Sequence, residues 1–198
     1  MKGKWLSETN FDFQNKTILL RIDCDVDLIE RKGGLVIDED FRLRSAIPTI
    51  HFLQKRGAKK IILLGHLGRP EGRFKKELSL RPIADWFTKN VEKCELINLN
   101  QEKIDWSNSL FILENLRFNP GEEDNNKEFV DELIVLGDVF VNDAFGVSHR
   151  AHASIVGIPK LLPSFLGLRF EGEVRTLSWL KRNALRPLVF ILGGSKKD

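Results

Sequence analysis

Lys60-Ile61-Ile62-Leu63-Leu64-Gly65-His66-Leu67-Gly68-Arg69-Pro70 is the stretch that decides how this chain folds. The run Lys60–Leu64 has no polar alternation, which marks a strand covered on both faces, and it empties at once into a Gly-rich turn holding a histidine and an arginine. The same event recurs along the chain. Thr17–Ile22 runs into Asp23-Cys24-Asp25, Leu110–Leu113 into Glu114-Asn115-Leu116-Arg117, Val139–Val141 into Asn142-Asp143, and Leu188–Leu192 into Gly193-Gly194-Ser195-Lys196. Glu95–Leu99 is a sixth apolar run without such a cluster.

Helical spacing fills the intervals. Leu43, Ala46, Ile47, Ile50 and Leu53 recur three and four apart and stop at Gly57, with Pro48 requiring a late start or a kink. Ser79 is the expected N-cap of a second helix, with Pro82 in its first turn and Ile83, Trp86 and Phe87 on one face. Phe129, Val130, Leu133 and Ile134 form a third that closes at Gly137, and Phe170, Val174, Leu177 and Leu180 a fourth that runs to about Leu185. Leu28–Ile37, centred on Gly33-Gly34, breaks this rhythm and reads as a hairpin. Strands alternating with helices predict an α/β fold with three layers: a six-stranded, mostly parallel, Rossmann-like sheet with helices on both faces. In such a sheet the carboxyl ends of the strands share one edge, where ligands bind.

Composition narrows the function classes. At 198 residues, 42% hydrophobic and 30% charged, the chain is an ordinary globular one, and its net charge of +3 gives no argument for a nucleic-acid or membrane partner. No apolar run approaches the roughly 18 residues of a transmembrane helix, and Met1-Lys2-Gly3-Lys4-Trp5 lacks the core of a signal peptide. Cys24 and Cys94 lack metal or redox spacing, so they are read as reduced and structural, in keeping with a cytoplasmic location. The basic strip Arg69, Arg73, Lys75, Lys76, Arg81 reads as a solvated loop rather than a nucleic-acid surface.

Each polar cluster has a plain reading and a functional one. In Gly65–Pro70, Gly68 permits a tight turn that leaves His66 and Arg69 facing one point, though a solvated arginine fits as well. Arg117, taken alone, reads more readily as a salt-bridged arginine than as a ligand contact. In Asn142–His152, Asp143 is expected to orient a neighbouring arginine or histidine, and Arg150 is the candidate ligand contact. Ser148-His149 lacks a nucleophile elbow, and His149 with His152 lacks the further ligands of a metal site. Alternation along the first strand sets Arg21, Asp23 and Asp25 on one side, with Arg42 able to reach over the edge or to pair with Asp23. Gly193-Gly194-Ser195-Lys196 resembles a phosphate turn but matches neither common phosphate fingerprint. Together the clusters argue more than they do singly. Arg69, Arg117, Arg150 and His66, delivered by three strand ends, point to an anionic small molecule, with phosphate suited to several forked guanidinium groups. Phosphoryl transfer is the reaction class that needs least beyond positioning and charge.

With these motifs the chain resembles the N-terminal half of phosphoglycerate kinases. The matching segments are Leu20–Val26, Phe41–Ile50, Gly65–Pro70, Leu113–Glu123, Val141–Ile158 and Ile191–Lys196. The resemblance implies phosphoryl exchange between 1,3-bisphosphoglycerate and MgADP, giving 3-phosphoglycerate and MgATP, in a glycolytic, cytoplasmic, monomeric kinase that closes about a hinge. It implies that Asp23 and Asp25 touch the glycerate end of the substrate and that His66, Arg69, Arg117 and Arg150 take its phosphate. Arg42 corresponds to the arginine that stabilises the transferring group, and Gly193, Gly194 and Lys196 to nucleotide-phosphate contacts; no residue is assigned as a metal ligand. The family segment reads Asn and Pro where this chain has Asp25 and Asp27. Residues 1–185 are expected to form the substrate-binding domain and 186–198 the hinge and first strand of a nucleotide domain, as in the first half of a longer protein. A binding module for a phosphorylated acid, without turnover, is the alternative.

Overall fold

The computed structural model describes residues 4–32, 34–101, 103–189 and 191. In chain order its strands are β1 (Thr17–Arg21), a separate antiparallel hairpin of β2 (Leu28–Arg31) and β3 (Gly34–Ile37), then β4 (Lys60–Leu64), β5 (Cys94–Ile97), β6 (Leu110–Leu113), β7 (Val139–Asn142) and β8 (Ser164–Leu166). Six of these make one sheet in the order β5-β6-β4-β1-β7-β8, and every pairing within it is parallel.

The near-continuous apolar runs split cleanly between two faces because side chains alternate along a strand. Ile18, Leu20, Ile61, Leu63, Leu110 and Ile112 belong to one core, and Leu19, Ile62, Leu64, Phe111 and Leu113 to the other. The first core is closed by Leu43 of α1 (Phe41–Arg44), Ile50 and Leu53 of α2 (Ile47–Lys55), and Ile83 and Phe87 of α3 (Arg81–Asn90). α4 (Pro120–Glu123) leads into α5 (Lys127–Ile134), whose Phe129, Val130 and Leu133 close the second; α6 (Leu168–Asn183) follows β8.

Several expectations need correction. The sixth strand is β8, not Leu188–Leu192: the described members of that run, Leu188, Val189 and Ile191, lie in no strand, and Phe190 and Leu192 fall outside the described residues. A strand forms where a neighbour pairs with it, and β7 supplies that neighbour for Ser164–Leu166. Of the two options at Pro48, a late start and a kink, the structure takes the first: α1 ends at Arg44, α2 starts at Ile47, and Pro48 sits in its first turn, where its missing N–H costs no hydrogen bond. Ser79 lies one residue ahead of the α3 N-cap position, and its Oγ accepts from the Arg81 N–H while donating to Glu114. The outer part of the α6 apolar face is not covered by any described residue, leaving Leu177 51% and Trp179 60% exposed.

The topology creates a crevice. The chain leaving β1 returns to the sheet at β4, on one side, whereas the chain leaving β7 returns at β8, on the other. Connections that diverge over adjacent strands leave an opening above their carboxyl ends.

Candidate functional site

Four contiguous strands, β6, β4, β1 and β7, deliver the polar clusters to this opening. Their ends are level, since Arg21 pairs in register with both Leu64 and Asn142. Asp23 and Asp25 therefore follow β1, His66 and Arg69 follow β4, Arg117 follows β6, and Arg150 follows β7, all at one edge.

The β4 loop is the hinge of the arrangement. Gly65 has no Cβ because Cys24 occupies the space: a methyl group there would lie 2.3 Å from the Cys24 Sγ. Gly68 takes a φ of +61°, a left-handed conformation that suits glycine. That turn presents the Gly68 N–H to Asp25 Oδ1 at 2.8 Å and the Gly68 carbonyl to Arg117 Nη1, also at 2.8 Å. Asn115 braces the loop from below, donating to the Leu67 and Leu78 carbonyls and accepting from the Arg117 N–H. The Asp25 carboxylate thus works as a backbone acceptor, a role that an Asn side-chain oxygen fills equally well.

Beneath the loop lies a buried polar chain that the sequence reading did not contain. Arg21 is not turned outward with Asp23 and Asp25; it is 1% exposed and folds under the edge. Its Nη1 donates to the Ile22 carbonyl, its Nη2 meets His66 Nδ1 at 3.0 Å, and its Nε donates to Ser154 Oγ at 3.0 Å. The Ser154 hydroxyl donates to Glu122 Oε1 at 2.6 Å, and the Ser154 N–H donates to Glu122 Oε2. Glu122 is fully buried and also faces His152, whose Nδ1 is 3.8 Å away. A buried guanidinium is thereby balanced by a buried carboxylate through one hydroxyl. Nothing in the spacing of Arg21, Glu122 and Ser154 signals this, because the three lie on separate elements.

The balance does not extend to the rim. Arg117 is 4% exposed, and burial is the main influence disfavouring its charge. Glu123 opposes this, with an oxygen 3.2 Å from Arg117 Nε, but that N–H is misdirected and has no hydrogen-bond partner among the described residues. Arg150 and Arg21 add positive charge on the same side. Arg150 is half-buried and Arg69 exposed, and neither forms a salt bridge among the described residues. Arg69 follows Gly68 in the same loop, and its side chain forms no hydrogen bond among the described residues.

Arg42, on α1, pairs with Asp23 at 2.5 Å, and the second Asp23 oxygen accepts from the Asp25 N–H. Each Asp23 oxygen has one such partner, which holds Arg42 over the edge and leaves lone pairs on both oxygens for a further donor. Asp143 does not orient an arginine or histidine of the cluster; its Oδ1 accepts from the Phe170 N–H and so anchors the first turn of α6. Gly193, Gly194, Ser195 and Lys196 lie outside the described residues. Among the described residues no group of three or more His, Cys, Asp or Glu is placed to hold a metal ion, and no helix is long and apolar enough to cross a membrane.

The histidines have a consequence for stability. Burial foremost, then the charges of Arg21 and Arg117, lowers the His66 pKa to about 2, and burial lowers that of His152 as well. The unfolded chain takes up a proton on His66 near pH 6.5 while the folded chain does not, so this contribution is intact above that pH and is lost as pH falls below it. The loss runs at about 1.4 kcal/mol per pH unit for one histidine. Chemical unfolding between pH 7 and 5 should show stability falling with acid, and His66→Asn should flatten the slope. Equal slopes for the two proteins would contradict a neutral, buried His66.

Comparison with known proteins agrees with this geometry. The family model described as phosphoglycerate kinase matches residues 8–198. The phosphoglycerate kinase of Coprothermobacter proteolyticus is 41% identical over 193 residues, which are 93% of this chain and 48% of that protein. That of Borrelia garinii is 42% identical over 194 residues, with the same shares. The solved phosphoglycerate kinase of Coxiella burnetii superposes with a TM-score of 0.80 at 35% identity, over 93% of this chain and 46% of the other. The Pyrococcus horikoshii enzyme does so with a TM-score of 0.81 at 29% identity, over 98% and 49%. The chain spans about half the length of the curated relatives it matches. A parallel sheet whose strand ends gather arginines, matched in sequence over almost its whole length, leaves one assignment: this chain belongs to the phosphoglycerate kinase family.

Proposed function

We propose that this chain supplies the 3-phosphoglycerate site for phosphoryl transfer between 1,3-bisphosphoglycerate and ADP, running to 3-phosphoglycerate and ATP. The observation that carries the reading is Arg117: a buried guanidinium with an N–H unused among the described residues, flanked by Arg150 and Arg21 and faced by the half-exposed Glu123 and, with less effect, by Asp25. A phosphate placed there accepts forked, charge-assisted hydrogen bonds and relieves the repulsion among the arginines. His66, Arg69 and Arg150 complete the phosphate end in this reading, and Asp23 and Asp25 meet the glycerate end.

The reaction asks for no general base. A carboxylate attacks in one direction and a diphosphate oxygen in the other, and both are ionised at neutral pH. What the barrier requires is positive charge in a closing, water-excluding cleft. Arg42, poised on α1 by Asp23, is the residue that follows the transferring group. The nucleotide is a cosubstrate carried with magnesium, for which Gly193, Gly194 and Lys196 are the proposed contacts. The rest of its site belongs to the half of the relatives that this chain does not span. Residues 1–185 act as the acid-binding domain and 186–198 as the start of the hinge, in a monomeric cytoplasmic enzyme.

Titration calorimetry of the 198-residue chain with 3-phosphoglycerate is expected to give saturable binding that weakens with salt. The same preparation should give no turnover with ATP, and plain glycerate should bind far more weakly. Equal affinities for 3-phosphoglycerate and glycerate would overturn the phosphate assignment.

A further inference from the structure

Arg21 occupies an unusual position: it is the largest fully buried side chain among the described residues, and it donates directly to a histidine at the rim of the candidate site. The chemistry of that contact is asymmetric. A guanidinium carries five N–H donors and no acceptor, and it stays protonated in proteins. At 3.0 Å from Arg21 Nη2, His66 Nδ1 can therefore only accept. The ring must be neutral at Nδ1, and its proton must sit on Nε2, on the opposite side. His66 Nε2 has no protein acceptor among the described residues, and it is not among the occluded polar atoms left unpaired. The donor is open to whatever enters the cluster.

Arg21 is itself held on its other branches. Nε is fixed by Ser154 Oγ, which Glu122 orients by accepting the hydroxyl proton, and Nη1 is fixed by the Ile22 carbonyl, with the Leu64 carbonyl at 3.5 Å. The guanidinium is thus pinned between the ends of β1 and β4 and the segment after β7. It has no freedom to release His66.

We propose that Arg21 is a positioning residue: it locks His66 in the Nε2–H tautomer, so that a neutral histidine presents a fixed donor to the anionic ligand. The proposal deepens the phosphoacid reading above and rests on it for the identity of the ligand. The lock adds a donor to the patch without adding a positive charge to one already crowded by Arg117 and Arg150. It also keeps that donor independent of pH across the physiological range, consistent with the strong depression of histidine protonation by burial and the Arg21 charge.

Nitrogen-15 NMR of the imidazoles in the ligand-free chain tests the lock directly, because the two tautomers give opposite pyrrole-type and pyridine-type shifts at Nδ1 and Nε2. His66 is expected to show a pyridine-type Nδ1 and a pyrrole-type Nε2, unchanged from pH 8 to 6. A protonated Nδ1, or shifts averaged between tautomers, in the wild-type chain overturns the proposal, and this readout needs no variant to fold. Arg21→Met, checked for folding by circular dichroism, should average the tautomers and weaken 3-phosphoglycerate binding about tenfold. Arg21→Lys keeps a charged donor with no acceptor and should restore the signature and most of the affinity. A folded Arg21→Met protein that keeps the Nε2–H signature would show that Arg21 does not set it. Absence of 3-phosphoglycerate binding in a wild-type chain with the signature intact would count against the ligand reading alone.

Discussion

Arg117→Ala is expected to weaken 3-phosphoglycerate binding by roughly tenfold to a hundredfold, while leaving the weak binding of plain glycerate nearly unchanged. Hydrogen bonds to charged groups contribute about 1.5–3 kcal/mol each, and about 1.4 kcal/mol is a factor of ten. The wild-type Arg117 is held ready by the Gly68 carbonyl and by the Asn115 side chain on its own N–H, so little ordering remains when the ligand arrives. Its partial neutralisation by Glu123 also matters. Glu123 is 44% exposed at its side chain and can turn to water as a phosphate takes its place. Calorimetric titration of both proteins checks this. Equal 3-phosphoglycerate affinities would return Arg117 to the role of a salt-bridge partner for Glu123.

Glu122→Ala should be among the most destabilising substitutions in the chain although Glu122 lies away from the open rim. It removes the carboxylate that compensates Arg21 through Ser154, leaving a 1% exposed guanidinium without its balancing charge. Breaking a buried charge arrangement in this way costs about 3–5 kcal/mol. For a chain of this length each kcal/mol lowers Tm by about 2–4 °C, so a drop of roughly 10 °C is expected. Glu122→Gln, which keeps an acceptor for Ser154 but not the charge, should fall between wild type and Glu122→Ala. Differential scanning calorimetry separates the three. A Glu122→Ala protein within about 1 kcal/mol of wild type would mean that Arg21 is stabilised by its carbonyl partners alone.

The parts of this molecule legible in its sequence were those governed by local rules. Lys60–Leu64 and Leu110–Leu113 could be read as strands because buried parallel strands are continuous apolar runs, and parallel strands bring their polar exits to one edge without further information. Gly68 was legible for the same reason, since a positive φ in a turn is a local demand. What depends on pairing was not legible. Ser164–Leu166 is three residues long and follows Pro163, so nothing but its neighbour β7 marks it as a strand, whereas the described members of the more strand-like run, Leu188, Val189 and Ile191, lie in no strand. Arg21 was misread because alternation predicts which face a strand residue takes, and Arg21 is the last paired residue, from which a long side chain bends beneath the edge. Its contacts lie 45 residues away at His66 and 133 away at Ser154, and Glu122 is 32 from Ser154. Asp143 was expected to serve the cluster but faces the start of α6, a choice made by where that helix docks.

Central to the proposed function is that the edge formed by β6, β4, β1 and β7 receives the phosphate of a phosphorylated acid. A crystal structure of the chain with 3-phosphoglycerate tests it most directly. The phosphate is expected within hydrogen-bond reach of the Arg117 guanidinium and His66 Nε2, with Arg69 and Arg150 turned onto it and the glycerate end beside Asp23 and Asp25. A well-ordered 3-phosphoglycerate whose phosphate lies away from Arg117 and His66, at another surface of the sheet, would contradict it.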